Sequence, residues 1–213
     1  LLKSLSLISY VTRRQSRASS SHFAAQRLNQ CLKSYMIRSF LAIPLPDDTA
    51  DAFMDLQTGV RNARWIADDT FHLTLVFLGA CTPQELTDLD AGLAGLRMER
   101  FTLKPQGVGA FGGGTPRQLF AKLAESEPLR RLHTKIERIA RDSGIDVERR
   151  KYVPHVTLAR CGGGVISLQA IDWTVRHARV TFPAFETHHF GLYRSDLGTG
   201  APVYTEMARY ELV

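Results

Sequence analysis

Apolar and polar positions change period several times along the chain, and each change predicts an element. Residues 40–43 (Phe-Leu-Ala-Ile) form a short apolar run closed by Pro44 and Pro46, which predicts a strand. Asp47 or Asp48 then caps a predicted helix with Ala50, Phe53 and Met54 on one face. Residues 71–78 predict the next strand. After Gly79, Thr82-Pro83-Gln84-Glu85 reads as a helix start, with Thr82 as N-cap, Pro83 at the first helical position and Glu85 completing a capping box. Leu86, Leu89, Leu93 and Leu96 supply the buried stripe of that helix. Residues 101–103 and 118–123 predict strands around a glycine-rich loop over 107–114. Pro128 opens a third helix, with Leu129, Leu132, Ile136 and Ile139 inward and Gly144 as its stop. Residues 152–159, 178–193 (broken at Pro183) and 203–212 predict the later strands. Strands and helices alternate, and each half of the chain carries a strand, a helix and a similar histidine-bearing strand. That order points to a diverged duplication.

Charge changes the picture at one end only. The 213 residues carry a formal net charge of +6. Six of the 27 Lys and Arg lie in residues 1–35 (Lys3, Arg13, Arg14, Arg17, Arg27, Lys33), where there is no Asp or Glu, leaving 21 bases against 21 acids beyond. The body over 36–213 is therefore neutral, which argues against a broad basic groove for long nucleic acid but not against a small phosphate-bearing end group. Residues 1–35, rich in Ser and Arg, read as an N-terminal extension: disordered, a transit-like leader, or upstream sequence ahead of a start at Met36. Cys31, Cys81 and Cys161 are odd in number and widely spaced, so neither a disulfide framework nor a cysteine zinc site is expected, and a reducing, cytoplasmic setting is. No run of about 18 apolar residues occurs, and no membrane span is expected.

The candidate chemistry sits in two segments, Phe71-His72-Leu73-Thr74-Leu75-Val76 and Pro154-His155-Val156-Thr157-Leu158-Ala159-Arg160. Residues two apart in a strand share a face. His72 projects with Thr74, and His155 with Thr157, while Leu73, Leu75, Val156 and Leu158 point into a core. Imidazole titrates near neutrality, so one ring of such a pair serves as base and the other as acid. The hydroxyls suit the non-bridging oxygens of a phosphodiester, whose charge grows in the transition state. Arg160 would suit the phosphate too, but a regular pleat turns it away from Thr157, so its reach depends on the strand ending or twisting there. Either segment alone is an ordinary strand histidine; two in corresponding places form a constellation.

With these flanks the chain resembles the two-histidine (2H) phosphoesterases, specifically the LigT-like RNA 2′,3′-cyclic phosphodiesterases. The resemblance covers about residues 36–213, including Arg38-Ser39-Phe40-Leu41-Ala42-Ile43-Pro44, Arg64-Trp65-Ile66, both histidine segments and Leu192-Tyr193-Arg194-Ser195. It implies an α/β (α+β) fold of two lobes with antiparallel-rich sheets, a pseudo-two-fold axis and the active site between the lobes. It implies hydrolysis of an RNA 2′,3′-cyclic phosphate to a 2′-phosphomonoester without metal or cofactor, by a monomer. His72 would be the general acid and His155 the general base, with Thr74, Thr157 and Arg160 binding the phosphate. Joining of RNA ends through a 2′-5′ bond, the reverse chemistry, is the associated activity. The rival readings are a non-catalytic RNA-end binder and a metal-dependent hydrolase.

Other residues carry plainer expectations. His188 and His189 are adjacent in a predicted strand, so they face opposite sides and chelate poorly. His133 borders a helix stripe and is expected packed and hydrogen-bonded; His177 and His22 lie in loop-like stretches without partners. Residues 148–151 (Glu-Arg-Arg-Lys) read as a solvated loop or as a segment that steers RNA phosphates, and Phe40 and Tyr152 as core or base-stacking aromatics.

Overall fold

The computed structural model describes residues 36–196, 198 and 202–213; the expectations for residues 1–35 lie outside them. Among the described residues ten strands and four helices follow one another in a repeated order. The first half runs β1 (Ile37–Pro44), α1 (Asp47–Met54), β2 (Ala63–Trp65), β3 (His72–Cys81), α2 (Pro83–Ala94), β4 (Phe101–Leu103) and β5 (Pro105–Phe111). The second runs β6 (Gln118–Leu123), α3 (Glu127–Asp142), β7 (His155–Cys161), α4 (Ser167–Arg176), β8 (Phe185–Thr187) and β9 (His189–Asp196), and β10 (Val203–Glu211) closes the chain. Setting aside β2 and β10, strand-helix-strand-helix-strand-strand occurs twice.

Pairing turns that repeat into a symmetric sheet. The strand order is β10-β9-β1-β3-β7-β6-β5, with β2 also on β7, and the described ladders are antiparallel. About its centre the order mirrors itself: β3 meets β7, β1 matches β6, and β9 matches β5. Each half's last strand lies on the other half's first strand, β9 on β1 and β5 on β6. A second, two-stranded sheet pairs β4 with β8, again like with like. The mixed α+β class and the antiparallel sheet agree with the sequence reading.

The helices cover one face. Leu86, Leu89 and Leu93 of α2 and Leu129, Leu132, Ile136 and Ala140 of α3 pack on the undersides of the strands, with Leu73, Leu75, Val156 and Leu158 below 3% exposed. Thr82 caps α2 as expected, accepting from the Glu85 amide at 3.2 Å while Glu85 Oε2 accepts from the Thr82 amide at 2.7 Å. Among the described residues no helix is long and apolar enough to cross a membrane.

Several local expectations need correction. Pro46, not Asp47 or Asp48, occupies the cap of α1, and Met54 is exposed. Leu96 lies beyond the end of α2, and on α3 Ala140 takes the deepest place while Ile139 is half-buried. Residues 152–154 precede β7 instead of belonging to it. The expected glycine loop is mostly strand β5, its turn confined to residues 112–115. The glycines there permit close approach: a Cβ on Gly107 would lie 2.4 Å from the Ala178 carbonyl, and one on Gly109 would lie 2.6 Å from the Phe120 ring. Helix α4 had no counterpart in the sequence reading. It lacks a side-chain N-cap and buries only Ala170 and Trp173, while Leu168 is 76% exposed and Val175 68%, so no single apolar stripe marks it.

Candidate active site

β3 and β7 touch through one ladder pair, Leu73↔Val156. In an antiparallel register, that pair sets His72 across from Thr157 and Thr74 across from His155, on the face opposite the buried Leu73 and Val156. The four side chains singled out from sequence thus share one face at the centre of the sheet. Each is half-buried, and beyond this pair the strands diverge, with β2 entering beside β7 at residues 159–161.

Both imidazoles are held alike. His72 Nδ1 lies 2.8 Å from the Thr70 carbonyl oxygen, and His155 Nδ1 lies 2.8 Å from the Val153 carbonyl oxygen. A carbonyl only accepts, so Nδ1 carries the hydrogen in each ring and Nε2 remains for proton exchange. Aromatic walls fix the rings: Phe40 (4.9 Å between centroids) and Tyr204 (5.2 Å) against His72, Phe111 (4.9 Å) and Phe120 (5.3 Å) against His155. Burial is the main influence on both and lowers both pKa values from the usual histidine value. The Thr70 carbonyl opposes the shift at His72, and the charges of His155 and Arg160 add to it. At His155 the Val153 carbonyl opposes the shift and Arg150 adds to it.

Arg160 reaches this face because β7 is not regular. Phe120 pairs with Thr157 and Leu119 with Ala159, so Leu158 is an unpaired bulge. The extra residue reverses the alternation: Leu158 and Ala159 are both buried, and Arg160 emerges, exposed, on the His155–Thr157 side. β3 has the same bulge at Leu75, between the pairs Leu41↔Val76 and Ala42↔Thr74, and there Phe77 emerges, 53% exposed. The sequence expectation left Arg160 dependent on such an irregularity, and the bulge supplies it.

Several residues on this face were not picked out from sequence. Arg64, noted there only within a resembling segment, lies across from Arg160 on β2. Like charges directly opposite one another in a sheet are unfavourable, and neither guanidinium has a carboxylate partner among the described residues. An anion between them would relieve the repulsion. Gln118, Phe120 and Lys122 of β6 pair with Arg160, Thr157 and His155, and Gln118 Nε2 donates to Thr157 Oγ1 at 2.7 Å. Their signal was present: polar or aromatic Gln118, Phe120 and Lys122 alternate with apolar Leu119, Ala121 and Leu123.

Most of the remaining candidates fall elsewhere. Phe40 is buried but on the site face, against His72 and stacked on Tyr193 at 5.4 Å, whereas Tyr152 stacks on His133 at 3.9 Å while donating its hydroxyl to the Thr74 carbonyl at 3.2 Å. His133 is packed as expected, by that stack, but among the described residues its ring makes no hydrogen bond, contrary to expectation. His177, expected without a partner, bonds through Nδ1 to the Trp173 carbonyl at the end of α4. His188 is exposed beside Glu186 at 3.5 Å, and His189 is half-buried. Burial raises the pKa of Cys81 to about 11 and also raises that of Cys161. Among the described residues no group of three His, Cys, Asp or Glu side chains is placed to hold a metal ion. A separate hollow of about 480 Å³, lined by Gln57, Val60, Trp65 and Gln169, contains neither histidine segment.

Comparison with known proteins bears on the same regions. The family model described as LigT like phosphoesterase matches residues 43–119 and 122–204, one histidine segment falling in each. The chain is 32% identical over 192 residues to an RNA 2′,3′-cyclic phosphodiesterase of Thermus thermophilus, covering 83% of this chain and 90% of that one. It is 26% identical over 181 residues to an RNA 2′,3′-cyclic phosphodiesterase of Geobacillus stearothermophilus, covering 82% of this chain but 57% of that relative's length. A solved structure of a Thermus thermophilus protein superposes with a TM-score of 0.70 at 30% identity, covering 82% of this chain and 97% of the other.

Proposed function

The chain belongs to the LigT-like phosphoesterase family, and from that membership and the geometry of the central face we propose that it hydrolyses RNA 2′,3′-cyclic phosphate ends to 2′-phosphomonoesters. One observation carries the reading. Two imidazoles, each donating Nδ1–H to a backbone carbonyl and each beside a threonine, share one face across the Leu73↔Val156 junction.

In this reaction His155 Nε2 takes a proton from water as its oxygen attacks phosphorus opposite O3′. The P–O3′ bond breaks, and His72 Nε2–H delivers a proton to the departing O3′, leaving the phosphate on O2′. The assignment of acid and base follows the family resemblance. Thr74 and Thr157 donate to the non-bridging oxygens, and Arg160, with Arg64 opposite, balances their charge. The same groups serve 2′-5′ joining when a 5′-hydroxyl takes the place of water: its oxygen attacks phosphorus as His155 takes its proton, and the P–O3′ bond breaks with a proton from His72, leaving a 2′-5′ diester.

The test is turnover of a 2′,3′-cyclic-phosphate-ended oligonucleotide in EDTA, with the product phosphate located by phosphorus NMR. We expect a 2′-phosphate, and a loss of roughly 10²- to 10⁴-fold in His72→Ala and in His155→Ala. Binding of the RNA end without product under single-turnover conditions would favour a binding protein, and activity restored only by added metal would favour a metal-dependent hydrolase.

A further inference from the structure

The two halves present matching positions on the central face, but not matching chemistry. Around the equivalent bulges, Phe40 pairs with Phe77 in the first half, and Gln118 pairs with Arg160 in the second. Phe40 is the positional counterpart of Gln118. The difference bears on the two threonines. Thr74 makes no side-chain hydrogen bond among the described residues, whereas Thr157 Oγ1 accepts from Gln118 Nε2 at 2.7 Å.

A threonine hydroxyl has one hydrogen and two lone pairs. An amide N–H held on one lone pair removes the orientations in which the O–H would point at Gln118. Among the described residues that hydrogen has no protein acceptor, so it is directed to whatever lies over the face. Gln118 is itself half-buried and anchored on β6, directly across from Arg160. The amide is also neutral: a carboxylate here would accept from Thr157 and turn the hydrogen away from the face.

We propose that Gln118 is a positioning residue that fixes the Thr157 hydroxyl as donor to one particular non-bridging oxygen of the cyclic phosphate, so that the protein distinguishes the two faces of the phosphorus. This rests on the cyclic phosphodiesterase reading. The two non-bridging oxygens then meet unequal donors, a fixed hydroxyl with Arg160 on the second half and a freely rotating Thr74 hydroxyl on the first. Sulfur is a poorer acceptor than oxygen, so the diastereomer that puts sulfur at the Thr157 position is the slow one.

The experiment measures kcat/KM for the Rp and Sp diastereomers of a nucleoside 2′,3′-cyclic phosphorothioate and for the all-oxygen substrate. It compares the unsubstituted protein with Gln118→Leu, Gln118→Glu, Thr157→Val and the Gln118→Leu/Thr157→Val double variant. We expect a clear preference for one diastereomer, and in Gln118→Leu a roughly 10-fold loss on the oxygen substrate, of the size of one hydrogen bond, with a reduced diastereomer ratio. Gln118→Glu should lose more than Gln118→Leu. In the Thr157→Val background Gln118→Leu should change nothing further. Because the ratio is taken within one preparation, partial misfolding does not alter it. An unchanged ratio in Gln118→Leu, additive losses in the double variant, or a ratio near one in the unsubstituted protein would overturn the assignment. Failure of the unsubstituted protein to turn over even the oxygen substrate would instead overturn the phosphodiesterase reading.

Discussion

Gly109 offers a perturbation whose size follows from the geometry. It sits on β5 directly across from Phe120, and the Phe120 ring lies over it. An added Cβ would stand 2.6 Å from Phe120 Cζ, 2.8 Å from Cε2 and 3.0 Å from Lys122 Cε. To regain ordinary carbon–carbon contact the ring must retreat by roughly 1 Å. Space for that is scarce: Phe120 is 5% exposed, stacked on Phe111 at 4.2 Å and set against His155 at 5.3 Å. Overpacking of this kind costs about 1–3 kcal/mol, and alanine in a strand returns about 0.5–1 kcal/mol of that relative to glycine. The net loss expected of Gly109→Ala is about 0.5–2 kcal/mol, or a Tm lower by roughly 2–6 °C at this chain length. A shift of 1 Å in a reacting group can cost 100-fold, so a smaller displacement of the His155 ring should lower kcat/KM by about 10-fold. Thermal melting and initial rates on a nucleoside 2′,3′-cyclic phosphate measure both, with Gly162→Ala, where a Cβ meets open space, as control. Phe120→Leu should recover part of the loss when added to Gly109→Ala, although it is destabilising alone. A Gly109→Ala protein with unchanged Tm and activity, or strict additivity with Phe120→Leu, would refute the reasoning.

The remaining predictions concern titration and the link between the halves. Both histidine pKa values are lowered by burial, so the protonated member of the pair is lost as pH rises through a value below 6.5; kcat/KM should fall on going from pH 6 to pH 8, and an alkaline limb centred above pH 7 would contradict this. His72, His133, His155 and His189 are all shifted down, chiefly by burial. The unfolded chain therefore binds more protons below pH 6.5, stability is fully present above that value, and Tm should drop as pH falls from 7.5 to 5.5. Tyr152→Phe removes the hydroxyl that donates to the Thr74 carbonyl while keeping the stack on His133; we expect about 0.5–1.5 kcal/mol of destabilisation in urea titration together with a fall in kcat, because the contact ties the approach to β7 onto β3.

What could be read from the sequence was whatever depends on short-range pattern. The His72–Thr74 and His155–Thr157 pairs follow from two-residue periodicity alone. The Thr82–Glu85 capping box is likewise contained in four residues. The features that escaped are those made by neighbours distant in sequence. Gly107 and Gly109 look like a loop until Ala178 and Phe120 are placed against them, and Gln118 has no visible role until β6 lies beside β7. Helix α4 escaped for another reason: its apolar residues fall on two opposite faces, Ala170 and Trp173 inward and Leu168, Ile171 and Val175 outward, so no single stripe stands out. The bulges left a trace that alternation hides. In Leu75-Val76 and Leu158-Ala159 two apolar residues follow each other where strict alternation allows one, and that doubling is the mark of the extra residue that brings Phe77 and Arg160 to the surface.

Symmetry and chemistry make opposite demands on this fold. Duplication supplies two equivalent cradles, each with an imidazole held through Nδ1, a threonine two residues on and a bulge after it. The proposed reaction needs one ring to take a proton and the other to give one, which equivalent surroundings would not favour. The asymmetry comes from residues beside the motifs. Aromatic rings wall both imidazoles, but where the first half sets Phe40, Pro44 and exposed Phe77 on β1 and β3, the second sets Gln118, Lys122 and Arg160 on β6 and β7. An apolar side suits a stacked base and a cationic side suits a phosphate, so the same substitutions that differentiate the histidines also orient the substrate. Exchanging one pair, Phe40 and Phe77 for Gln118 and Arg160, between the halves should therefore disturb orientation and proton transfer together, whereas substitutions confined to the core-facing Leu73 or Val156 should act through stability.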